Sequence, residues 1–234
     1  MTNLRQRSGQ KELLDDPAIP FADIRRNMQE LNLVNTYLGG HRVSIKGLNK
    51  ILRQSLIPPT VTICEIGCGG GDNLQAIAKW CSAKGIKARF IGIDIKQECI
   101  EYAMQQYPDL DAEWIVSDYK KVFFAQQPYI IFSSLFCHHF SNEELVFMLG
   151  WMQQYAQLGF FINDLHRHVL AYQSIRTITQ LVSRSYLVKN DAPLSVARGF
   201  TKTEWQQLLA AAEIERYTIS WEWAFRHLIV YCHD

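Results

Sequence analysis

A chain of 234 residues with 24 basic and 23 acidic side chains has a formal net charge of +1, and its like charges never gather into a run. That excludes the electrostatic footprint expected for a nucleic-acid backbone or an anionic membrane surface. An apolar share of 48% and a charged share of 20% suit a globular protein with one main core, and no stretch approaches the roughly eighteen apolar residues of a membrane span. Six scattered cysteines without a Cys-x-x-Cys pair give no support to a zinc ribbon or a dithiol redox motif, and they fit free thiols in a reducing cytoplasm.

In chain order, residues 1–17 are polar, lack a secretory signal and have the composition of a frayed end. Over 21–38, Ile24, Met28 and Leu31 recur at helical spacing, and Gly39-Gly40 supplies a left-handed stop. Ser44 is placed to cap a second helix that presents Ile45, Leu48, Leu52 and Leu56 and ends before Pro58-Pro59. Strand, turn and helix then recur in the lengths of a parallel sheet with crossover helices. Strands are predicted at 61–66, 88–93, 112–116, 129–133 and 159–163, with helices at 72–84 and 97–106. Ser141 and Thr201 each open a capping box, ahead of apolar faces at Leu145, Met148, Leu149 and Met152 and at Trp205, Leu208, Leu209 and Ala212. Residues 165–198 are helical in pattern and stand outside the repeat, and 214–221 with 225–232 read as an antiparallel pair. The expected fold is α/β, a doubly wound, mostly parallel seven-stranded sheet with an antiparallel last strand. A helical cap would cover 1–58, and a Rossmann-like domain 59–234 would carry a helical insert at about 165–198.

Chemistry concentrates in Glu65-Ile-Gly67-Cys-Gly69-Gly-Gly71-Asp-Asn73, which follows one predicted strand and opens a helix. Glycines there allow a tight turn and close approach to a ligand, and the free amides of a helix start favour an electron-rich partner. The dinucleotide fingerprint needs a glycine at the sixth position, where this chain has Asp72, and the phosphate-cradling Lys-Ser/Thr is missing. What remains is acidic-x-Gly-x-Gly-x-Gly. Asp94 ends the second strand, where a carboxylate can accept both hydrogen bonds of a ribose diol, and Ser117-Asp118 ends the third.

This pattern resembles the class I S-adenosylmethionine-dependent methyltransferase family, in its small-molecule branch. The resemblance rests on residues 65–73, on Gly92-Ile-Asp94, on Ser117-Asp118, on 131–140 ending in His-His-Phe, and on 199–205, and so covers roughly 60–234. It implies that Gly67, Cys68, Gly69, Gly71 and Asn73 border the methionine part of S-adenosylmethionine and that Glu65 holds its amino group. It further implies Asp94 and Ile95 at the ribose, Asp118 and Tyr119 at the adenine, and Ser133 and Ser134 beside the sulfonium, with S-adenosylhomocysteine as product. Ser133-Ser-Leu-Phe136 stands where amide and base methylases of the family carry Asn/Asp-Pro-Pro-Tyr/Phe, which argues against DNA adenine or glutamine methylation.

A hydroxyl or carbon acceptor can need a base tuned near neutral pH, and His138 and His139 follow the fourth strand at the same edge. Tyr37, His41, His166, His168 and Tyr172 form the expected acceptor pocket. Asp164, His166 and His168, spaced by two, need not share a face, so no metal is expected. The resulting expectation is a cytoplasmic enzyme that methylates a small, partly hydrophobic molecule on oxygen or carbon, without nucleic-acid or membrane partners, its assembly open between monomer and homodimer. The alternatives are a protein or RNA methyltransferase, a catalytically silent cofactor-binding regulatory partner, and a nicotinamide oxidoreductase, against which the missing sixth glycine counts.

Overall fold

The computed structural model describes residues 3–16 and 18–233. Helix α1 (Phe21–Tyr37) leads through Gly39, whose φ of 76° only glycine adopts cheaply, directly into α2 (Gly40–Gln54). Because α2 starts at Gly40, Ser44 lies inside the helix as a buried residue and not at its cap, and its hydroxyl accepts a hydrogen bond from Asn163. Leu56 falls beyond the helix end and is 96% exposed, so the buried face is instead Val43, Leu48, Ile51 and Leu52.

The sheet then follows: β1 (Val61–Ile66), α3 (Asp72–Ala83), β2 (Ala88–Asp94), α4 (Gln97–Gln106), β3 (Ala112–Val116), β4 (Ile130–Ser134), α5 (Asn142–Tyr155) and β5 (Gly159–Leu165). After it come α6 (Val169–Val182), α7 (Tyr186–Arg198), α8 (Lys202–Ala211) and the hairpin β6 (Thr218–Glu222) and β7 (Arg226–Cys232). Strand order is β3-β2-β1-β4-β5-β7-β6, with the first five parallel and β7 antiparallel to both neighbours. The expected last pair begins at Thr218; the residues ahead of it form no strand, and Ile214 is buried in the core beside α8.

Alternation along each strand divides the core in two. Cys64, Ile66, Ile131, Phe160 and Ile162 meet α5 and α8, whereas Ile63, Ile130, Phe132, Phe161 and Leu228 meet α2 and α3. Continuous apolar character in β1, β4 and β5 reflects burial on both faces. Helix α2, grouped by sequence with α1 in an N-terminal cap, therefore packs on the sheet between α3 and β7. Both capping boxes form, at Ser141 and at Thr201. Among the described residues, no helix is long and apolar enough to cross a membrane.

The start of the chain departs from expectation. Described residues of this segment are tied to α7 rather than frayed: the Ser8 amide donates to Ala197, and the Leu13 and Leu14 amides donate to the Asp191 carboxylate at 2.9 and 3.0 Å. Arg7 donates to the carbonyls of Arg198 and Phe140 and stacks over Phe200. Polar pairing with a distant helix leaves no hydrophobic period to read.

Gly47 faces the Phe161 ring, 2.6 Å from where a Cβ would sit, in a fully buried layer. Alanine normally stabilises a helix interior over glycine by up to about 1 kcal/mol. Here we expect Gly47→Ala to destabilise by about 1–3 kcal/mol through overpacking, read as a lowered urea midpoint at unchanged slope.

Candidate active site

The carboxyl ends of β1, β2, β3 and β4 open on one cavity of about 1040 Å³, closed from above by α1 and by the N-terminal segment. Open α/β sheets bind ligands at this edge, where the strand order reverses. Here the reversal lies between β1 and β4.

After β1 the chain turns through Gly67, Gly69 and Gly71, all at positive φ. Their surroundings differ. A Cβ on Gly67 would strike the Phe136 ring at 2.3 Å and one on Gly71 the Trp114 ring at 2.6 Å, while Gly69 has nothing within 4 Å and opens to the cavity. The outer two glycines are therefore required by packing, and the middle one leaves the approach clear.

Glu65, at the end of β1, is 2% exposed and accepts a hydrogen bond from the Asn73 amide at 3.1 Å. Its other oxygen, like the Asn73 carbonyl oxygen, is buried without a partner. Burial, reinforced by Asp72, raises the Glu65 carboxyl well above the ordinary range. Asp94 accepts from the Gly69 amide through one oxygen and from the Lys96 amide through the other, both at 2.9 Å. Burial also raises its pKa, against those two donors. Asp118 follows β3 and accepts from the Lys120 amide at 3.1 Å, with the buried Tyr119 next to it.

A second cluster closes the other end. His138 is 3% exposed; its Nδ1 lies 2.8 Å from Oδ1 of Asp164 at the end of β5, and its Nε2 lies 3.5 Å from Glu12. Burial works against the charged ring, but Asp164 and Glu12 outweigh it and raise His138 to about 9. Asp164 and Glu12 are held below the usual range although burial opposes this, chiefly by His138. His139 directs Nδ1 to Asp15 at 3.1 Å and Nε2 to Glu12 at 3.8 Å.

Residues 63–157 match a family model described as a methyltransferase domain. Over those residues the chain is similar to a methyltransferase domain. Solved structures share the fold. The plantazolicin methyltransferase BpumL, in complex with a pentazolic desmethylPZN analog and SAH, is 22% identical with a TM-score of 0.66, covering 88% of this chain and 76% of that one. Magnesium protoporphyrin IX methyltransferase (ChlM) from Synechocystis PCC 6803, with bound SAH, is 15% identical with a TM-score of 0.51, covering 94% and 90%. A putative O-methyltransferase from Nostoc punctiforme PCC 73102 is 12% identical with a TM-score of 0.56, covering 81% and 57%. No curated protein matches the chain.

Most of the residues singled out from sequence converge. Glu65, Gly67, Cys68, Gly69, Asn73, Asp94, Ile95, Asp118, Tyr119, Ser134, His138 and His139 line this one cavity together. Gly71 and Ser133 stand behind the wall, Ser133 fully buried with its hydroxyl against the Cys137 thiol at 3.7 Å. His138 is not available as a base, because both ring nitrogens face carboxylates and the ring is charged near neutral pH.

The expected acceptor pocket is corrected. Tyr37 is 82% exposed, and His41 is engaged with Asp72 at 2.7 Å behind the lining. Tyr172 lies on α6, away from the cavity. His166 and His168 follow β5 but meet the β6–β7 hairpin: His166 packs against His227 at 4.7 Å and His168 stacks on Phe225 at 5.1 Å. The antiparallel strand covers that end of β5, so residues there are turned from the cleft. The wall is instead completed by residues that the sequence reading did not select: Arg7, Asp15, Asn27 and Asn35. Asn27 had a signal. It shares a helical face with Ile24, Met28 and Leu31, and a polar residue on a buried face needs a partner; Asn27 is 2% exposed and its side-chain carbonyl oxygen is unpartnered.

His227 is buried with both ring nitrogens unpartnered, and burial, aided by His166, lowers it to about 4. The folded chain thus holds a neutral ring, while the unfolded chain gains a proton below its ordinary pKa of about 6.5. Its contribution is whole above pH 6.5 and lost as pH falls toward 4, by up to about 3 kcal/mol. Urea midpoints over this range should fall more steeply for the wild type than for His227→Leu; parallel curves would refute the assignment.

Proposed function

We propose that this methyltransferase domain moves the methyl group of S-adenosylmethionine to a small, partly hydrophobic molecule, on oxygen first and carbon second. The observation that carries the reading is the convergence of Glu65, Gly69, Asp94 and Asp118 on one cavity. The residues present fit the cofactor. A buried carboxylate oxygen and amide oxygen without partners, at Glu65 and Asn73, suit an ammonium group. One oxygen of Asp94 accepts from the Gly69 amide and the other from the Lys96 amide, and a carboxylate has further lone pairs to offer a ribose diol. The open face of Gly69 gives room for the methionine chain. Asp118 and Tyr119 would take the adenine end.

S-adenosylmethionine supplies a methyl group that is already strongly electrophilic, so this chain's work is to position the nucleophile and exclude water. Ile24, Met28, Leu31 and Phe136 provide apolar walls, and Asn27 and Asn35 provide polar handles for the acceptor. Neither His138 nor His139 offers a ring nitrogen that is not already directed at a carboxylate. An acceptor that gives up its proton readily, such as a phenolic or enolic hydroxyl, suits this wall best. A cavity of about 1040 Å³ sits at the upper end for one drug-sized ligand, which favours a cofactor together with an acceptor over a silent cofactor-binding subunit.

A thermal-shift panel tests this. A ligand present at one hundred times its Kd stabilises the folded form by about 2.7 kcal/mol. S-adenosylhomocysteine should give a clear rise in melting temperature, NAD and ATP none, and Asp94→Ala should abolish the rise. An undiminished shift in Asp94→Ala, or an equal one with NAD, would sink the assignment.

A further inference from the structure

Glu12, His138 and His139 have no part in holding the methyl donor, yet they are arranged with a common focus. Each offers one donor atom, and the three atoms lie within 4.8 Å of one another. Nε2 of His138 faces one oxygen of Glu12 at 3.5 Å, and Nε2 of His139 faces the other at 3.8 Å. Behind the rings, Nδ1 of His138 is held by Asp164 at 2.8 Å and Nδ1 of His139 by Asp15 at 3.1 Å. Both histidines therefore aim the same nitrogen at Glu12 and give the other to a carboxylate. Metal-binding histidines are built this way, the outer carboxylate fixing tautomer and ring orientation.

Bonds of about 2.0–2.2 Å to one ion put adjacent N and O donors roughly 3.0–3.5 Å apart. His138 and Glu12 already stand at that separation, and with all three donor atoms within 4.8 Å of one another, side-chain movements of about 1–2 Å close the set on an ion. We propose that Glu12, His138 and His139 form a two-histidine, one-carboxylate site for a divalent transition-metal ion, which takes the place of the Nε2 proton that faces Glu12 in the metal-free protein. Imidazole with carboxylate suits zinc, cobalt or iron better than magnesium or calcium. His139 and Asp15 line the cavity, so the remaining coordination positions turn toward the acceptor's end, where an oxygen or nitrogen of the acceptor can occupy one. Glu12 belongs to the N-terminal segment while His138 and His139 follow β4, so the ion would also fasten that segment over the cavity. The site departs from the sequence-based expectation of no metal and stands on donor geometry, independently of the identity of the methyl donor.

The test is calorimetric titration of Zn²⁺, and separately of Co²⁺, into chelator-treated and dialysed protein at pH 7.5. We expect one ion per chain, with Co²⁺ giving the visible absorption of mixed nitrogen and oxygen coordination. Affinity should fall at least tenfold in His139→Ala and in Glu12→Gln, and by 10–100-fold in Asp15→Asn, the range for losing an outer carboxylate. His168→Ala, remote from the cluster, should bind as the wild type does. The S-adenosylhomocysteine thermal shift, measured on the same variants without metal, shows that they are folded and reads the methyl-donor site separately. Lack of stoichiometric binding, or wild-type affinity in both His139→Ala and Glu12→Gln, would overturn the proposal.

Discussion

Asp164 ends β5 with no exposed surface, and a carboxylate in that position keeps its charge only if donors and a cation surround it. The His138 ring and backbone amide and the amide of Leu165 supply them. Once His138 is fixed as a cation, its far nitrogen in turn needs an acceptor, and Glu12 reaches it from the N-terminal segment. Glu12 is itself buried and fastened by the Ser195 hydroxyl on α7. One buried charge thus binds β5, the turn after β4, α7 and the start of the chain. Removing a single member would leave the others desolvated and uncompensated, which costs far more than the pair contributes in net terms.

This network and the glycine turn divide the cavity by charge. At the turn, burial pushes Glu65 and Asp94 up, and the one cation acting on Asp94, Lys96, does not outweigh it, so that end favours a positively charged ligand. At the opposite end, carboxylates and cations compensate one another, with Arg7 and Arg198 gripping the backbone of the histidine turn. Arg198 holds the carbonyls of His138 and His139 at 2.9 and 2.8 Å, which keeps both rings facing inward. The lid is tied down in the same manner: Glu30 on α1 accepts hydrogen bonds from Arg184 and Ser185 between α6 and α7.

Local signals carried a large part of this. The glycine turn, the strand-end carboxylates and the two capping boxes are defined by residues within a few positions of one another, so their geometry follows from short-range sterics and hydrogen bonding. His138 and His139 were legible as residues at the right edge, but not in their chemistry. The charge on His138 depends on Asp164 and Glu12, distant in the chain on either side. Ser44 fits a cap by composition, yet Gly39 starts the helix earlier and puts that hydroxyl against Asn163 of β5.

By itself the sequence determined the alternation of strands and helices, the doubly wound sheet and the edge at which a ligand binds, because hydrophobic period and turn chemistry are local properties. The tertiary structure decided which polar side chains meet. It brought Glu12 and Asp15 to the two histidines, turned His166 and His168 toward the β6–β7 hairpin, and made a wall of residues from α1 and the chain's start. Those outcomes rest on compensating buried charge across large sequence separations, and that requirement leaves no periodic mark in the chain.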